Sequence, residues 1–225
     1  MTLALQTTDS EPPSPTFRAL APGALVNAGC SVPAAALTDR GLASWARSRG
    51  VSVTARDDHD LDVVQYNNIR AVQVVYRCGP AAPALRRAVA LGVSRFVVST
   101  PQHMARIAES APSTRYLYLD DQAPLMLGDK RLKVIGLHTE ITDPENAAEW
   151  ACAAQRLVGR SAVLKACGST VKRIALSGGS TQLWLAPDAS QASIIVAAVD
   201  RAVRDECQHW QLTRPAVTLA ALSAA

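Results

Sequence analysis

The stretch that decides the fold is AVQVVYRCGPAAPALRRAVALGVSRFVVSTPQHMARIAES, residues 71–110. It opens with a short run dense in Val and Tyr (71–76). That run is mostly apolar on both faces, as a strand buried on both sides must be. PAAPALRRAVALG (80–92) follows, with apolar residues at helical spacing and a glycine at its end, where a helix commonly stops. RFVVS (95–99) is a second apolar run. TPQHMARIAES (100–110) then begins with Thr100 and Pro101, the cap and first-turn proline of a helix start. Strand, helix, strand, helix is the repeating unit of a parallel sheet covered by helices.

The same rhythm runs outward in both directions. Upstream lie GALVN (23–27), a helical pattern over 32–50 that stops at Gly50, VSVTA (51–55) and an acid-led helix at 57–67. Downstream come RYLYL (115–119), LKVIGL (132–137), a helix over 143–159 started by Asp143 and Pro144, VKRIAL (171–176), a long helix over 187–210 and AVTL (216–219). Only 120–131 shows no convincing helix. Eight strand–helix alternations in about 200 residues predict an α/β fold, a single-domain (β/α)8 TIM-type barrel. An open doubly wound sheet usually has fewer strands. Residues 1–16, with three prolines, read as a disordered lead-in, which leaves 17–225 as the barrel domain.

Composition narrows the class. The chain has 225 residues, 48% of them hydrophobic, enough for one sizeable core. Its formal charge is +4, with 19 Arg against 4 Lys. The arginines are scattered (Arg47, Arg49, Arg86, Arg87, Arg156, Arg160), mostly on polar helix faces, and aromatics are only 4%, so nucleic acid is not an expected partner. Five distant cysteines without a C-x-x-C pair indicate neither zinc nor disulfides and suit a reduced, cytoplasmic setting. With no run of ~18 apolar residues and no leader pattern, no membrane association is expected.

In such a barrel the chemistry sits where the strands' carboxyl ends meet. That places Asn27 and Cys30, Arg56, Arg77 and Cys78, Asp120 and Asp121, His138 and Glu140, and Ser177 to Ser180 around the mouth. His138 and Glu140 read either as an acid/base pair or as a hydrogen-bonded barrel histidine with a neighbour. Asp120 and Asp121 read as a general-base or metal pair, or as a solvated loop. A catalytic thiol at Cys30 or Cys78 would need a histidine that the sequence does not assign. Ser177-Gly178-Gly179-Ser180 reads as a phosphate-holding turn or simply as the end of a strand.

Several of these segments together resemble one family. PALRRAVALGVSRFVVSTPQHMARIAE (83–109), LKVIGLHTEITDPENAAEW (132–150), VKRIALSGGS (171–180) and RPAVTLAALSAA (214–225) are similar, in order, to segments of the pyridoxal-phosphate-dependent ornithine/diaminopimelate/arginine decarboxylases. The likeness is to their alanine-racemase-type barrel domain. It implies that Asn27 stands at the family's lysine position, where an amide cannot form the Schiff base. It also implies that Glu140 replaces the ring-stacking histidine, that Ser177-Gly178-Gly179 matches the phosphate loop, and that Ala220 to Ser223 replace the acidic "EPGR" segment. The chain ends where the family continues into a β-domain.

The resemblance therefore implies a degenerate barrel, a pseudoenzyme without decarboxylase activity. Its role would be as a binding or regulatory partner of another protein or an active paralogue. The alternative it leaves open is a barrel enzyme of altered chemistry. Such an enzyme would hold pyridoxal phosphate noncovalently, or another small phosphorylated ligand, on Ser177, Gly178, Gly179 and Ser180. Metal is not expected.

Overall fold

The computed structural model of the chain describes residues 28–124, 130–185 and 190–224. Its strands are β1 (Ala28–Pro33), β2 (Ser52–Ala55), β3 (Val74–Arg77), β4 (Arg95–Val98), β5 (Arg115–Asp120), β6 (Leu132–Glu140), β7 (Arg173–Ser177) and β8 (Ala216–Ala220). Each is parallel to its neighbours, and β1 pairs with β8 to close the sheet into a barrel. Helices α1 (Arg40–Arg49), α2 (Asp58–Tyr66), α3 (Ala82–Ala90), α4 (Pro101–Ser110), α5 (Ala147–Ala166), α6 (Thr181–Leu185) and α7 (Ser190–His209) lie between strands. This is the expected (β/α)8 barrel.

Local chemistry accounts for the ends of these elements. The Thr100 hydroxyl accepts from the His103 amide at 3.3 Å, with Pro101 in the first turn of α4. Asp57 does the same for α2, accepting from the Asp60 amide at 2.9 Å. Gly50 closes α1 in the left-handed region at φ 68°, which a Cβ would disfavour. The core forms between the outward strand faces and the helices: Val53, Phe96, Leu117, Leu137, Ile174 and Val217 are all buried.

Four boundaries differ from the sequence expectation. The first described strand is AGCSVP, and GALVN (23–27), expected as the first strand, lies outside the described residues. Ala, Gly, Cys and Ser carry little intrinsic strand preference, and pairing to β2 and β8 on both sides supplies what propensity does not. Asn27, expected at that strand's carboxyl end, lies outside the described residues, as does 17–26; the strand that follows it ends at Val32 and Pro33. Helix α5 starts at Ala147 rather than 143, because Asn146 is the residue whose side chain caps it, accepting from the Ala148 amide at 3.0 Å. Strand β6 runs on through His138, Thr139 and Glu140, and the short α6 after β7 was not foreseen.

One irregularity positions the site. Between β5 and β6 the register passes from Leu117↔Val134 to Tyr118↔Gly136, leaving Ile135 as an extra residue. Such a bulge resets the alternation of inward and outward side chains. Beyond it Leu137 faces the helices and His138 faces the barrel axis. Gly136 is required at this point. A Cβ there would come within 2.5 Å of the Tyr118 ring and 2.9 Å of the Arg173 carbonyl oxygen.

Candidate functional site

Barrel interiors are ordinarily filled by layers of bulky branched side chains. Here many inward positions are small: Ser31, Ser52, Thr54, Ala175 and Thr218. They leave a cavity of about 330 Å³ that runs from Arg49 at the amino-terminal end of the barrel to Leu222 at the carboxyl end. Five arginines line it (Arg49, Arg56, Arg77, Arg95 and Arg173), and among the described residues no carboxylate does. Arg95 and Arg173 have no ion-pair partner among the described residues, and the buried Nε of Arg95 lacks a hydrogen-bond acceptor. Burial holds the Arg95 guanidinium below its ordinary pKa, and the Arg173 charge adds to that.

At the carboxyl end three consecutive strands each contribute one side chain to a hydrogen-bonded chain. His138 on β6 places Nδ1 3.3 Å from Asp120 Oδ2 on β5 and Nε2 3.0 Å from Ser177 Oγ on β7. Burial holds His138 below its ordinary pKa and therefore neutral, although Asp120 works the other way. Burial also opposes ionisation of Asp120, but the hydrogen bond from His138 and the charge of the nearby Arg77 outweigh it, so the carboxyl sits below its ordinary value. An ionised carboxylate only accepts, so Nδ1 carries the ring proton. Nε2 is then a bare lone pair, and the Ser177 hydroxyl must donate to it.

Two further contacts steady this chain. Arg77 pairs with Glu140, which keeps that carboxylate off the histidine. Arg160 on α5 donates to the Asp120 carbonyl oxygen at 2.7 Å and so fixes the exit of β5. The acid beside His138 is thus Asp120, not Glu140. Asp121 instead pairs with Arg156 and Arg160 on α5. Sequence reasoning named Asp120, His138 and Ser177 separately and missed their union. It also missed Arg95 and Arg173, and placed the half-buried Arg160 on a solvated face, whereas Arg49 borders the cavity and is exposed as expected. Cys78 is buried and Cys30 partly so, and desolvation pushes both thiols up to about 12, which leaves them unreactive.

The glycines after β7 are explained by packing. A Cβ on Gly178 would lie 2.9 Å from Ile141 Cβ and from Trp150 Cζ2. Trp184 stacks edge-on to Trp150 at 5.1 Å and donates from Nε1 to the Gly178 carbonyl oxygen at 2.9 Å. The Gly178 amide donates to the Ala220 carbonyl oxygen, and the Gly179 carbonyl oxygen accepts from Leu222. Ser180 pairs with Ser223 across the same seam.

The residues present do not fit pyridoxal phosphate held as the resemblance implies. One phosphate-loop amide is already given to Ala220, and Ala220 to Ser223 supply no acid for the ring nitrogen. All four lysines stand away from the mouth. Lys130 and Lys133 flank the start of β6, Lys172 precedes β7, and Lys165 ends α5 and donates to the Gln211 carbonyl oxygen. Among the described residues no cluster of metal-ligating side chains forms, and no helix is long and apolar enough to cross a membrane.

No family model matches the chain. No curated protein matches it. Solved structures do match. The lysine decarboxylase from Selenomonas ruminantium superposes with a TM-score of 0.67 at 14% identity, over 88% of this chain and 56% of its own. The diaminopimelate decarboxylase from M. jannaschii gives 0.70 at 12% identity, over 87% and 53%. The arginine decarboxylase of Paramecium bursaria Chlorella virus gives 0.69 at 12% identity, over 88% and 58%. The chain spans a little more than half the length of these proteins. In fold it is similar to the barrel domains of the pyridoxal-phosphate-dependent lysine, diaminopimelate and arginine decarboxylases.

Proposed function

We propose that the chain is a decarboxylase-like barrel that has left pyridoxal chemistry and binds a small anionic ligand, phosphorylated or carboxylated, along its axis. The observation that carries this reading is the cavity lined by five arginines and no carboxylate among the described residues. Arg77 and Arg95 are half-buried there and lose hydration, while Arg49, Arg56 and Arg173 are exposed to solvent, and an anion between them is attracted by all five. Arg95 and Arg173 provide guanidinium donors that no described carboxylate occupies, and planar forks of this kind suit carboxylate and phosphate oxygens.

A thermal-shift series with inorganic phosphate, a phosphate monoester and a dicarboxylate, at constant ionic strength, tests the reading. At saturating anion the melting temperature rises by roughly 5 °C, following mass action on the folded state. Chloride gives no rise, and Arg95→Ala combined with Arg173→Ala abolishes the shift. A shift that survives this double substitution overturns the reading. So does an absorbance band with added pyridoxal phosphate that borohydride fixes covalently to the chain. A flat response to every anion, with a stoichiometric complex formed with an active decarboxylase, would move the reading to a regulatory partner.

A further inference from the structure

We propose that Ser177, His138 and Asp120 form a nucleophilic acyl-transfer site at the carboxyl end of the cavity, acting on an ester or thioester whose acyl group carries a carboxylate or phosphate. The anionic part of that substrate class rests on the small-anion reading above; the nucleophile does not.

The geometry argues beyond an ordinary buried hydrogen bond. Nucleophile, base and orienting acid stand in sequence at 3.0 and 3.3 Å, on three neighbouring strands of one rigid barrel. The direction of the hydrogen bonds follows from the chemistry of the groups. A carboxylate at Nδ1 forces the lone pair to Nε2, and that lone pair faces the serine hydroxyl. Ser177 and His138 both line the cavity, with the small Ala175 and Ala220 beside them. At about 3.3 Å per residue, Arg173 lies roughly 13 Å down β7 from Ser177. An acyl chain of that length would put its anionic end among the arginines and its carbonyl at the serine.

The reaction balances with these groups and water. Ser177 Oγ forms a bond to the carbonyl carbon as its proton passes to His138 Nε2. The tetrahedral adduct expels the alcohol or thiol, which takes that proton from Nε2, and leaves an acyl-serine. Water then attacks the acyl carbon, gives its proton to Nε2, and the serine oxygen departs with that proton, releasing the acid. Asp120 stays ionised throughout and holds the Nδ1 proton, so it is a positioning residue.

A fluorophosphonate probe and intact-mass analysis test this. The parent chain gains one adduct, on Ser177, and Ser177→Ala gains none. His138→Gln and Asp120→Asn slow labelling by at least about 100-fold, the latter by leaving Nε2 protonated, with melting temperatures close to the parent's. Because the probe must fit the cavity, Ser177→Cys supplies a second reading. Iodoacetamide alkylates the thiol introduced by that substitution faster than the exposed Cys152 and Cys167, and adding His138→Gln removes the advantage. Labelling of Ser177→Ala at the parent rate overturns the proposal. So does a parent chain inert to the probe whose Ser177→Cys variant is no faster than the exposed thiols. If the phosphate-induced thermal shift persists in that case, only the nucleophile fails. If Ser177 is labelled but no anion shifts the melting point, only the anion reading fails.

Discussion

The two ends of the barrel cavity treat charge in opposite ways. At the amino-terminal end Arg95 and Arg173 stand within electrostatic reach of each other without a described carboxylate between them. At the carboxyl end Arg77 meets Glu140, Arg56 leans on Asp60 at 3.9 Å, and Asp120 holds His138. Partnered charges fix positions and have little left to offer a ligand. Unpartnered ones cost the free protein stability, and an anion can restore it. One end is therefore built to orient atoms and the other to attract them. The turn after β7 strengthens the contrast, because Trp150 and Trp184 seal the orienting end against the core.

The largest expected effect comes from breaking that seal. Trp150→Ala empties the space against Gly178 and should cost about 3–5 kcal/mol, read as a lower urea midpoint. It should also slow probe labelling of Ser177, since the turn that carries the serine would loosen.

Acid comes next. Burial keeps His138 below its ordinary value, so near pH 6.5 the unfolded chain takes up a proton that the folded chain refuses. The stabilising difference is whole above that pH and shrinks as pH falls below it, by up to about 1.4 kcal/mol per pH unit. Asp120, Arg77 and Ser177 are the groups facing the ring, and Asp120 remains ionised through this window because its carboxyl is held low. His103, also lowered by burial, adds its own share. Urea midpoints at pH 7.5 and 5.5 should therefore converge in part, not wholly, in His138→Asn.

Smaller effects sharpen the comparison directly. Glu140→Gln should cost about 1 kcal/mol, because the pair it breaks is partly exposed. By freeing Arg77 it should make the carboxyl end resemble the other, and so enlarge the phosphate-induced thermal shift. Arg173→Gln should do the reverse. It removes a repelling charge, raises the melting temperature of the free protein by about a degree or two, and weakens the response to phosphate.

Much of the fold was legible because buried parallel strands and capped helices are written locally. Thr100-Pro101 and Gly50 announced their boundaries, and RFVVS and RYLYL their strands. The first strand was not, since Ala28-Gly29-Cys30-Ser31 becomes a strand through its neighbours rather than its own preference. The site was legible as parts. Asp120, His138 and Ser177 each stood at a strand end, but their meeting depends on register across β5, β6 and β7, which no periodicity displays. Arg95 and Arg173 did carry a usable signal: each opens an otherwise apolar strand at a position whose side chain borders the cavity, although Arg173 also stays exposed to solvent.

The bulge at Ile135 has a consequence for how this chain tolerates length changes. Deleting that single residue would let β6 pair with β5 without interruption, so the barrel could still close. Gly136, Leu137 and His138 would keep their partners Tyr118, Leu119 and Asp120, so His138 would still face the barrel axis. One missing codon at the bulge would thus leave the relay assembled, whereas one missing codon at Leu137 would set His138 opposite Leu119 and turn it toward the helices.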